Sequence, residues 1–489
     1  MRAVRTTIAR IVGFFRSLFG GGPEAPAGWV EIDVDESVAA LDEIEHIVVL
    51  MLENRSFDHM LGYLGLEAGG PDIDGLQPGM ANEHDGRSYP IFRLESTAFT
   101  KAQDPCHSGA CVDEQLANGN GGFASNYLRT RKDPAAAEPV VVMGYYDGEQ
   151  LPIYDFLSRR FCICDRWFCS VRGATFPNRL YAVAGRAAGS RDNADPPVYH
   201  LPSFVRHLDA TGATWRWYTH EVFTTIWAID RDYLSKTFDN VRPFQSPFSF
   251  GDFFSAAQAG KLPSVAWIDP NFVDLGGAVG SNDDHPPSDV RAGQELVLKV
   301  FNALVRSPAW DRTVLLITYD EHGGFFDHVE PPEAEDEDPR PEFQAFGPRV
   351  PALVVSPRVR PGVSHEVFDH TSIIKSCLVR FCRREGGLIP DMGARVRAAN
   401  HLGVVLDRDV QVERPDDSTL QKLASTLGDW RADSLRAEVR VQDRAIAPDP
   451  DALTDFQQDY VAARQAVINS LSPEERARAA TTVGMGTTR

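Results

Sequence analysis

The sequence is poor in cysteine, and the few it has follow no recognisable pattern. Seven cysteines in 489 residues are an odd number, which excludes a disulfide framework as the basis of the fold. Their spacing also lacks the paired arrangement of a zinc site, so we expect buried free thiols and reducing, intracellular conditions. The cysteines are Cys106, Cys111, Cys162, Cys164, Cys169, Cys377 and Cys382.

Basic residues are also scarce. Lys and Arg number 49 against 69 Asp and Glu, which gives a formal net charge of −20. Such a balance argues against nucleic acid as a partner, because phosphate backbones require clustered positive charge. It does not exclude a small anionic substrate held by a metal. The composition, 43% hydrophobic and 24% charged, is that of a soluble globular protein with a sizeable core.

The chain lacks an uninterrupted apolar run long enough for a transmembrane helix or a clear signal peptide. The first twenty residues instead form an amphipathic pattern with apolar residues at helical spacing and four arginines, among them Arg10 and Arg16, on the polar side. We expect peripheral membrane association through residues 1–20, lying in the interface of an anionic bilayer. The alternative is a helix packed on the main domain or on a partner subunit. The apolar positions are Ile8, Ile11, Val12, Phe15, Leu18 and Phe19.

Internal repeats are absent, and strand-like and helix-like segments alternate, which predicts an α/β fold with a mostly parallel central sheet flanked by helices. Strands are predicted at 46–52, 314–318, 264–269 and 351–356, with a helix at 292–304. We divide the chain into an N-terminal helix and Gly/Pro joint at 1–28, a catalytic domain at 29–405 and a C-terminal helical appendage at 406–489.

Two further segments stand out by composition. Residues 330–342 are dense in Glu, Asp and Pro and predict a mobile acidic loop, either a lid or a plain solvated loop. In the C-terminal part, a linker is expected at 447–451. A helical stripe follows, and Ser472 and Glu475 have the spacing that caps another helix start. The stripe consists of Phe456, Tyr460, Val467 and Leu471.

Two strings of polar residues directly follow apolar runs that are typical of buried strands. Glu53 begins the string Glu-Asn-Arg-Ser-Phe-Asp-His (53–59), and Asp320 and Glu321 begin Asp-Glu-His-Gly-Gly (320–324). Ligand sites of open α/β sheets lie at the carboxyl ends of strands. Three carboxylates there can balance one divalent cation such as Mg²⁺, Ca²⁺, Mn²⁺ or Zn²⁺. The alternative is that they are helix caps or surface groups.

A third string contains Thr175, followed by Phe-Pro-Asn-Arg (176–179). Gly173 permits a tight turn, and Pro177 predicts a helix that starts just after Thr175. A hydroxyl at a helix N-terminus lies where backbone N–H groups favour anions, a geometry that suits attack on phosphorus. Alternatively, Thr175 serves only as an N-cap.

Together these strings resemble the bacterial and plant phosphoesterase family, which includes phosphatidylcholine-preferring and non-specific phospholipases C and certain acid phosphatases. The resemblance spans about 45–385 and includes Asp327-His328, Arg349-Val350-Pro351 and the segment 368–372. It implies an alkaline-phosphatase-like α/β fold. Together with the cysteine pattern and the amphipathic start, we expect a bacterial, intracellular enzyme bound peripherally to the membrane. The oligomeric state stays open.

The resemblance also implies the roles of individual residues. One divalent metal ion would be held by five of them, with Asn54 touching either the metal or a phosphate oxygen, and Thr175 would be the nucleophile. Histidines at the phosphoryl group match His285 and His107, and His220 is a further candidate. His59, His322 and His328 would brace the site through hydrogen bonds. The expected metal ligands are Glu53, Asn54, Thr175, Asp320 and Glu321.

The implied activity is a phospholipase C that releases diacylglycerol and a phosphorylated headgroup through a phosphothreonine. Two alternatives stay open: a phosphatase acting on soluble phosphate esters, and an inactive lipid-binding protein. Phosphatidylcholine is favoured as substrate if aromatic side chains form a cage for its quaternary ammonium group. The candidates for that cage are Trp217, Tyr218, Trp267, Tyr127 and Tyr145.

Overall fold

The fold is built on a mixed sheet whose two central strands are the apolar runs identified in the sequence. The computed structural model describes residues 28–131, 139–220, 223–245, 252–273, 281–428 and 453–482. The amphipathic segment at 1–20 and the linker at 447–451 lie outside these ranges. Within them, no helix combines the length and the apolar character that crossing a bilayer requires.

Among the described residues, eight strands form the central sheet. They are β2 (His46–Leu52), β7 (Cys162–Cys164), β9 (Trp215–Thr219), β10 (Val241–Pro243), β11 (Val265–Ile268), β12 (Thr313–Tyr319), β13 (Ala352–Val355) and β14 (Gly362–Ser364). Their order in the sheet is β10-β9-β11-β2-β12-β13-β7-β14. Five of the seven neighbouring pairs are parallel, and β13 is antiparallel to both of its neighbours.

Four short two-stranded ladders complete the strands of the described ranges. They pair β1 (Trp29–Glu31) with β16 (Leu388–Pro390), β3 (Ala81–His84) with β4 (Arg87–Pro90), β5 (Phe92–Arg93) with β6 (Gly144–Tyr145), and β8 (Trp167–Phe168) with β15 (Phe368–Asp369).

Helices cover the sheet. They are α1 (Glu36–Asp42), α2 (Gly109–Gln115), α3 (Phe123–Thr130), α4 (Pro152–Arg160), α5 (Thr175–Ala184), α6 (Val205–Thr211), α7 (Thr225–Ile229), α8 (Phe253–Gln258), α9 (Val290–Val305), α10 (Thr371–Phe381), α11 (Ala394–Ala398), α12 (Asp417–Thr426), α13 (Asp455–Ser470) and α14 (Pro473–Thr482). Shorter helical turns occur at Phe57–Met60, Gly62–Leu66, Lys101–Gln103, Ala117–Asn120, Val141–Met143, Arg231–Tyr233, Leu234–Thr237, Trp310–Arg312, Pro341–Phe343 and Leu402–Val405.

Every residue of β2 and β12 is buried, as expected for parallel strands covered on both faces. Helix α5 packs on α10, and α9 packs against α4 and α12. The α/β class, the mostly parallel sheet and the predicted strands and helices are thus confirmed. The C-terminal helices are also present: Tyr460 and Val467 are buried, and Ser472 and Glu475 bond reciprocally at the start of α14.

Two expectations need correction. Cys106 and Cys111 form a disulfide rather than free thiols, because the turn into α2 brings their Cα atoms to 6.0 Å, within bonding range. The other five cysteines are free and buried, as predicted.

The acidic segment 330–342 is not a freely solvated loop, because Asp336 accepts hydrogen bonds from Tyr181 Oη (2.6 Å) and Arg395 Nη2 (3.2 Å). Arg340 also donates to the backbone oxygen of Gly189. A role as a lid stays a prediction.

Candidate functional site

The first two carboxylates of the site lie side by side because β2 and β12 are parallel neighbours. Leu52 pairs with Tyr319, so Glu53 and Asp320 leave the sheet at the same edge. The Asp320 N–H donates to the Leu52 oxygen at 3.1 Å. Both carboxylates are fully buried, which rules out the surface-group alternative.

A strained turn after β2 brings the next residues to the same point. Asn54 has a φ of 59°, in the left-handed region that few non-glycine residues adopt. Its N–H donates to Asp320 Oδ1 at 3.2 Å, and the Arg55 N–H donates to the Glu321 oxygen at 3.0 Å. The turn thus fixes Glu53 and Asn54 against Asp320 and Glu321.

Gly323 and Gly324 let the loop after β12 approach two other segments. Both have positive φ, 65° and 75°. A Cβ at Gly323 would lie 2.2 Å from the Asn54 oxygen, and one at Gly324 would lie 2.7 Å from the Cys106 oxygen. The close packing that brings the residues around His107 to the carboxylates therefore requires glycine at both positions.

Helix α5 brings Arg179 to the carboxylates and carries Thr175 one turn earlier. Ala174, not Thr175, is the N-cap, and the Thr175 hydroxyl is buried without a hydrogen-bond partner among the described residues. The alternative that Thr175 serves only as an N-cap is therefore wrong. One helical turn later, Arg179 donates to Glu53 Oε1 at 2.9 Å and to Asp320 Oδ2 at 3.1 Å.

Burial and crowded negative charge dominate the electrostatics. Burial raises the pKa of Glu53 well above its ordinary value, and Asp320 raises it further while Arg179 opposes the rise. Burial raises the pKa of Glu321 to about 8 although His107 opposes this, and it also raises the pKa of Asp320. When all three carboxylates are ionised, Arg179 neutralises one charge and leaves two, which one divalent cation would balance.

The oxygen atoms of the site fit a hard cation. Glu53 Oε2, Asn54 Oδ1, Thr175 Oγ1 and Glu321 Oε1 are all buried, and none has a hydrogen-bond partner in the described part of the chain. Buried polar atoms are nearly always paired, so unpaired oxygens on four of the five predicted ligands are consistent with a shared ligand such as a cation. Carboxylate, amide and hydroxyl oxygens are ligands that Mg²⁺, Ca²⁺ and Mn²⁺ accept.

A ready-made cluster of three or more His, Cys, Asp or Glu side chains is not found in the described ranges. The three predicted carboxylate ligands Glu53, Asp320 and Glu321 therefore do not form such a cluster. The Arg179 guanidinium binds two of them, Glu53 and Asp320. The fit to a cation therefore depends on the unpaired oxygens.

Two of the three candidate histidines border this group. His107 Nε2 lies 3.5 Å from Asn54 Nδ2, and its Nδ1 bonds the Pro105 oxygen at 3.0 Å. The His285 ring lies edge-on to His107 with 5.7 Å between ring centroids, and its Nδ1 bonds the Pro286 oxygen at 2.7 Å. If Nδ1 carries the proton in both rings, Nε2 is the atom available for chemistry.

His220 follows β9, two strands from β2 along the sheet edge. Its Nδ1 bonds the backbone oxygen of Asp269 at 2.9 Å, and its ring lies against Phe244. The Asp269 carboxylate in turn interacts electrostatically with Arg179, and a catalytic role for His220 stays a prediction.

The three bracing histidines form hydrogen bonds around the site, as the resemblance implied. His59 Nε2 lies 3.1 Å from Arg55 Nη1, and His322 Nε2 lies 2.8 Å from Gln115 Oε1. His328 lies between Asp58 and Asp74.

Two further residues contact the predicted ligands or histidines, and the sequence predicts no role for either. Arg179, in the third motif, binds Glu53 and Asp320. Asp283 accepts the His285 N–H at 3.0 Å through its carboxylate, and its backbone oxygen accepts the Glu53 N–H at 2.8 Å. Its position two residues before a candidate histidine was the only available signal.

The proposed aromatic cage is wrong for four of its five members. Trp217, Tyr218, Trp267 and Tyr127 are each about 1% exposed and belong to the core. Trp217 and Trp267 stack on neighbouring strands of the sheet with 4.6 Å between ring centroids. Only Tyr145 among the five is partly exposed, so these residues cannot enclose an ammonium group.

Comparison with known proteins gives a consistent family. A model of the phosphoesterase family matches residues 44–382. Non-specific phospholipase C6 of Arabidopsis thaliana is 34% identical over 65% of this chain and 62% of its own length. Phospholipase C A of Mycobacterium tuberculosis is 31% identical over 78% of this chain and 82% of its own length. This chain spans less than two thirds of the length of plant phospholipases C6 and C1.

Solved structures are only distantly similar. The lipoteichoic acid synthase LtaP of Listeria monocytogenes has a TM-score of 0.38 at 10% identity, covering 86% of this chain and 98% of that one. A protein of the alkaline phosphatase superfamily from Vibrio parahaemolyticus has a TM-score of 0.32 at 11% identity, covering 62% of this chain and 83% of that one. At TM-scores this low, the similarity carries no information about the reaction of this chain.

Proposed function

Because this chain belongs to the phosphoesterase family, as its motifs predicted, we propose that it is a metal-dependent phospholipase C. It would cleave the glycerol-side phosphodiester bond of glycerophospholipids and release diacylglycerol and a phosphorylated headgroup. The observation that carries this proposal is the group of four unpaired buried oxygens from Glu53, Asn54, Thr175 and Glu321.

Thr175 is the proposed nucleophile. A divalent cation bound by Glu53, Asn54, Thr175, Asp320 and Glu321 would lower the pKa of the Thr175 hydroxyl and neutralise phosphate oxygens. Thr175 is the first residue of a 10-residue helix, whose positive end favours a bound phosphate. In the proposed step, the Thr175 oxygen bonds to phosphorus, and the bond from phosphorus to the glycerol oxygen breaks.

A histidine completes the step by protonating the departing glycerol oxygen. His107 and His285 are the candidates, because both border the group and both hold Nδ1 on a backbone oxygen. Water then attacks phosphorus, the bond from phosphorus to the Thr175 oxygen breaks, and the phosphorylated headgroup leaves. The same imidazole accepts a proton from the attacking water. His220, whose Nδ1 bonds the backbone oxygen of Asp269, stays a further candidate for this proton transfer.

The lipid substrate is proposed from the names of the relatives and from charge. The relatives of plants and mycobacteria are phospholipases C. A net charge of −20 disfavours anionic headgroups, so we place zwitterionic lipids above anionic ones. Among the zwitterionic lipids, phosphatidylcholine is put first on the family resemblance alone. Membrane contact through the amphipathic residues 1–20 is part of the proposal; deletion of residues 1–22 should reduce sedimentation with anionic liposomes.

The test is turnover of liposomes that mix phosphatidylcholine, phosphatidylethanolamine and phosphatidylglycerol, with products followed by phosphorus NMR. We expect phosphocholine and diacylglycerol. Release of phosphate from p-nitrophenyl phosphate without diacylglycerol would instead identify a phosphatase for soluble esters. Lipid binding without any turnover would identify a binding protein.

Variants at one position sharpen the test. Thr175→Ala should abolish turnover and leave liposome binding intact, whereas Thr175→Ser, which keeps a hydroxyl, should retain part of the activity. Full activity of Thr175→Ala would remove Thr175 from the mechanism.

A further inference from the structure

Arg179 has an unusual position for a buried cation. Its side chain is 1% exposed, and the guanidinium lies between Glu53 and Asp320, with which it forms ion pairs of 2.9 and 3.1 Å. The guanidinium also lies over the ring of Phe272, 5.0 Å from its centroid. Arginine suits such a place because its planar group can bond two carboxylates at once.

The hydrogen bonds divide the carboxylate oxygens into held and available ones. Arg179 holds Glu53 Oε1, while Glu53 Oε2 has no partner among the described residues. Asp320 Oδ2 is held by Arg179, and Asp320 Oδ1 accepts the N–H groups of Asn54 and Glu321 at 3.2 and 2.7 Å. Removing Arg179 would therefore release the Glu53 side chain and leave Asp320 held through Oδ1 alone.

We propose that Arg179 is the residue that positions Glu53 and Asp320 as metal ligands. This inference rests on the proposed metal-dependent function. It gives the site two positive charges, the permanent guanidinium of Arg179 and the exchangeable metal ion. By holding one oxygen of each carboxylate, Arg179 keeps the two side chains together before the metal binds. Glu53 Oε2, which has no hydrogen-bond partner among the described residues, is then the oxygen that would bind the metal.

An opposite effect is physically possible, and the two differ in sign. Arg179 is a positive charge close to the proposed cation, so by repulsion alone its removal would tighten metal binding. If positioning dominates, its removal weakens metal binding, because the two carboxylates then repel each other and lose their common partner. Metal affinity therefore decides between a positioning residue and a mere competing charge.

The experiment is calorimetric titration of the full-length, EDTA-stripped protein with Mg²⁺, Mn²⁺, Ca²⁺ and Zn²⁺ separately. We expect Arg179→Met, which keeps packing on Phe272 but loses both ion pairs, to weaken the Kd at least tenfold. Arg179→Lys should lie between this variant and the wild type, because an ammonium group lacks the planar fork. If Arg179→Met does not fold, Arg179→Lys alone still decides the sign.

Arg349 offers a matched control. It is equally buried and also joins two carboxylates, Asp58 at 3.1 Å and Asp327 at 2.8 Å, neither of which is a proposed ligand. Arg349→Lys should lower the thermal unfolding midpoint, as Arg179→Lys should, but leave the Kd for the metal within twofold of wild type.

The outcomes separate the two proposals. A Kd that is unchanged or tighter in Arg179→Met and Arg179→Lys would overturn the positioning role while leaving the metal site in place. A wild-type protein that binds none of the four ions would overturn the metal-dependent function and, with it, the role of Arg179.

Discussion

Replacing Thr175 by valine should stabilise the metal-free protein while destroying its activity. Valine keeps the branched shape of threonine and removes only the hydroxyl, which is fully buried and has no partner in the described ranges. Burying a hydroxyl without a hydrogen bond costs about 1–3 kcal/mol. The free energy of unfolding of Thr175→Val should therefore exceed that of wild type by about 1 kcal/mol or more.

The assay is guanidinium unfolding at pH 7 in EDTA and again with a saturating divalent cation. In EDTA, we expect a higher midpoint for Thr175→Val. With the cation, the order should reverse, because the wild type gains one more ligand than the variant and bound ligands stabilise the folded state. Turnover of phosphatidylcholine liposomes should be lost under both conditions.

Thr225→Val is the matched control. Thr225 is also buried at a helix start, but its hydroxyl bonds the Asp269 carboxylate at 3.1 Å. Removing it takes a partner from a buried charge, so this variant should be less stable than wild type by about 1–3 kcal/mol with or without metal. If Thr175→Val is destabilised in EDTA as much as Thr225→Val, the Thr175 hydroxyl has a partner in solution, and the reasoning fails.

Three further predictions concern the surroundings of the site. Burial raises the pKa of Glu321 and Asp283 to about 8, so the folded protein binds more protons than the unfolded chain between about pH 4.5 and 8. The thermal unfolding midpoint measured in EDTA should therefore fall as the pH rises through this window, and it should be independent of pH with a saturating cation. A midpoint in EDTA that does not change with pH would contradict this prediction. Reduction of the Cys106–Cys111 disulfide should lower kcat several-fold by loosening the segment that carries His107, and a double serine variant should be equally slow but insensitive to reductant. Asp459 accepts a hydrogen bond from Asn193 Nδ2, and Asn193 Oδ1 accepts the N–H of Phe176, the residue after Thr175. Asp459→Ala should therefore lower kcat several-fold and leave KM unchanged, while Glu474→Ala, at an exposed position, should match wild type.

The elements that could be predicted are those whose signal is local and strong. Strands β2 and β12 are uninterrupted apolar runs, and their predicted ranges differ from the observed bounds by at most one residue at each end. Because parallel strands end at one edge, the sequence also predicts Glu53 and Asp320 at the same edge of the sheet. It does not predict that β2 and β12 are neighbouring strands.

The details that could not be predicted depend on contacts between distant segments. The role of Arg179 requires a side chain on α5 to reach the ends of both β2 and β12. The burial of Trp217 and Trp267 depends on the pairing of β9 with β11, which no local pattern reveals. The disulfide depends on a turn into α2 whose geometry the spacing of Cys106 and Cys111 does not fix.

The motifs constrain one another through direct contacts, which explains why each is short but strict. In the first motif, Asn54 has a left-handed backbone conformation, and its backbone oxygen would lie 2.2 Å from a Cβ at position 323. The first motif therefore requires glycine at position 323 of the second motif. Arg179, in the third motif, then holds one carboxylate from each of the other two. Since each motif supplies part of the support for the others, single substitutions at this edge of the sheet should have coupled effects rather than additive ones.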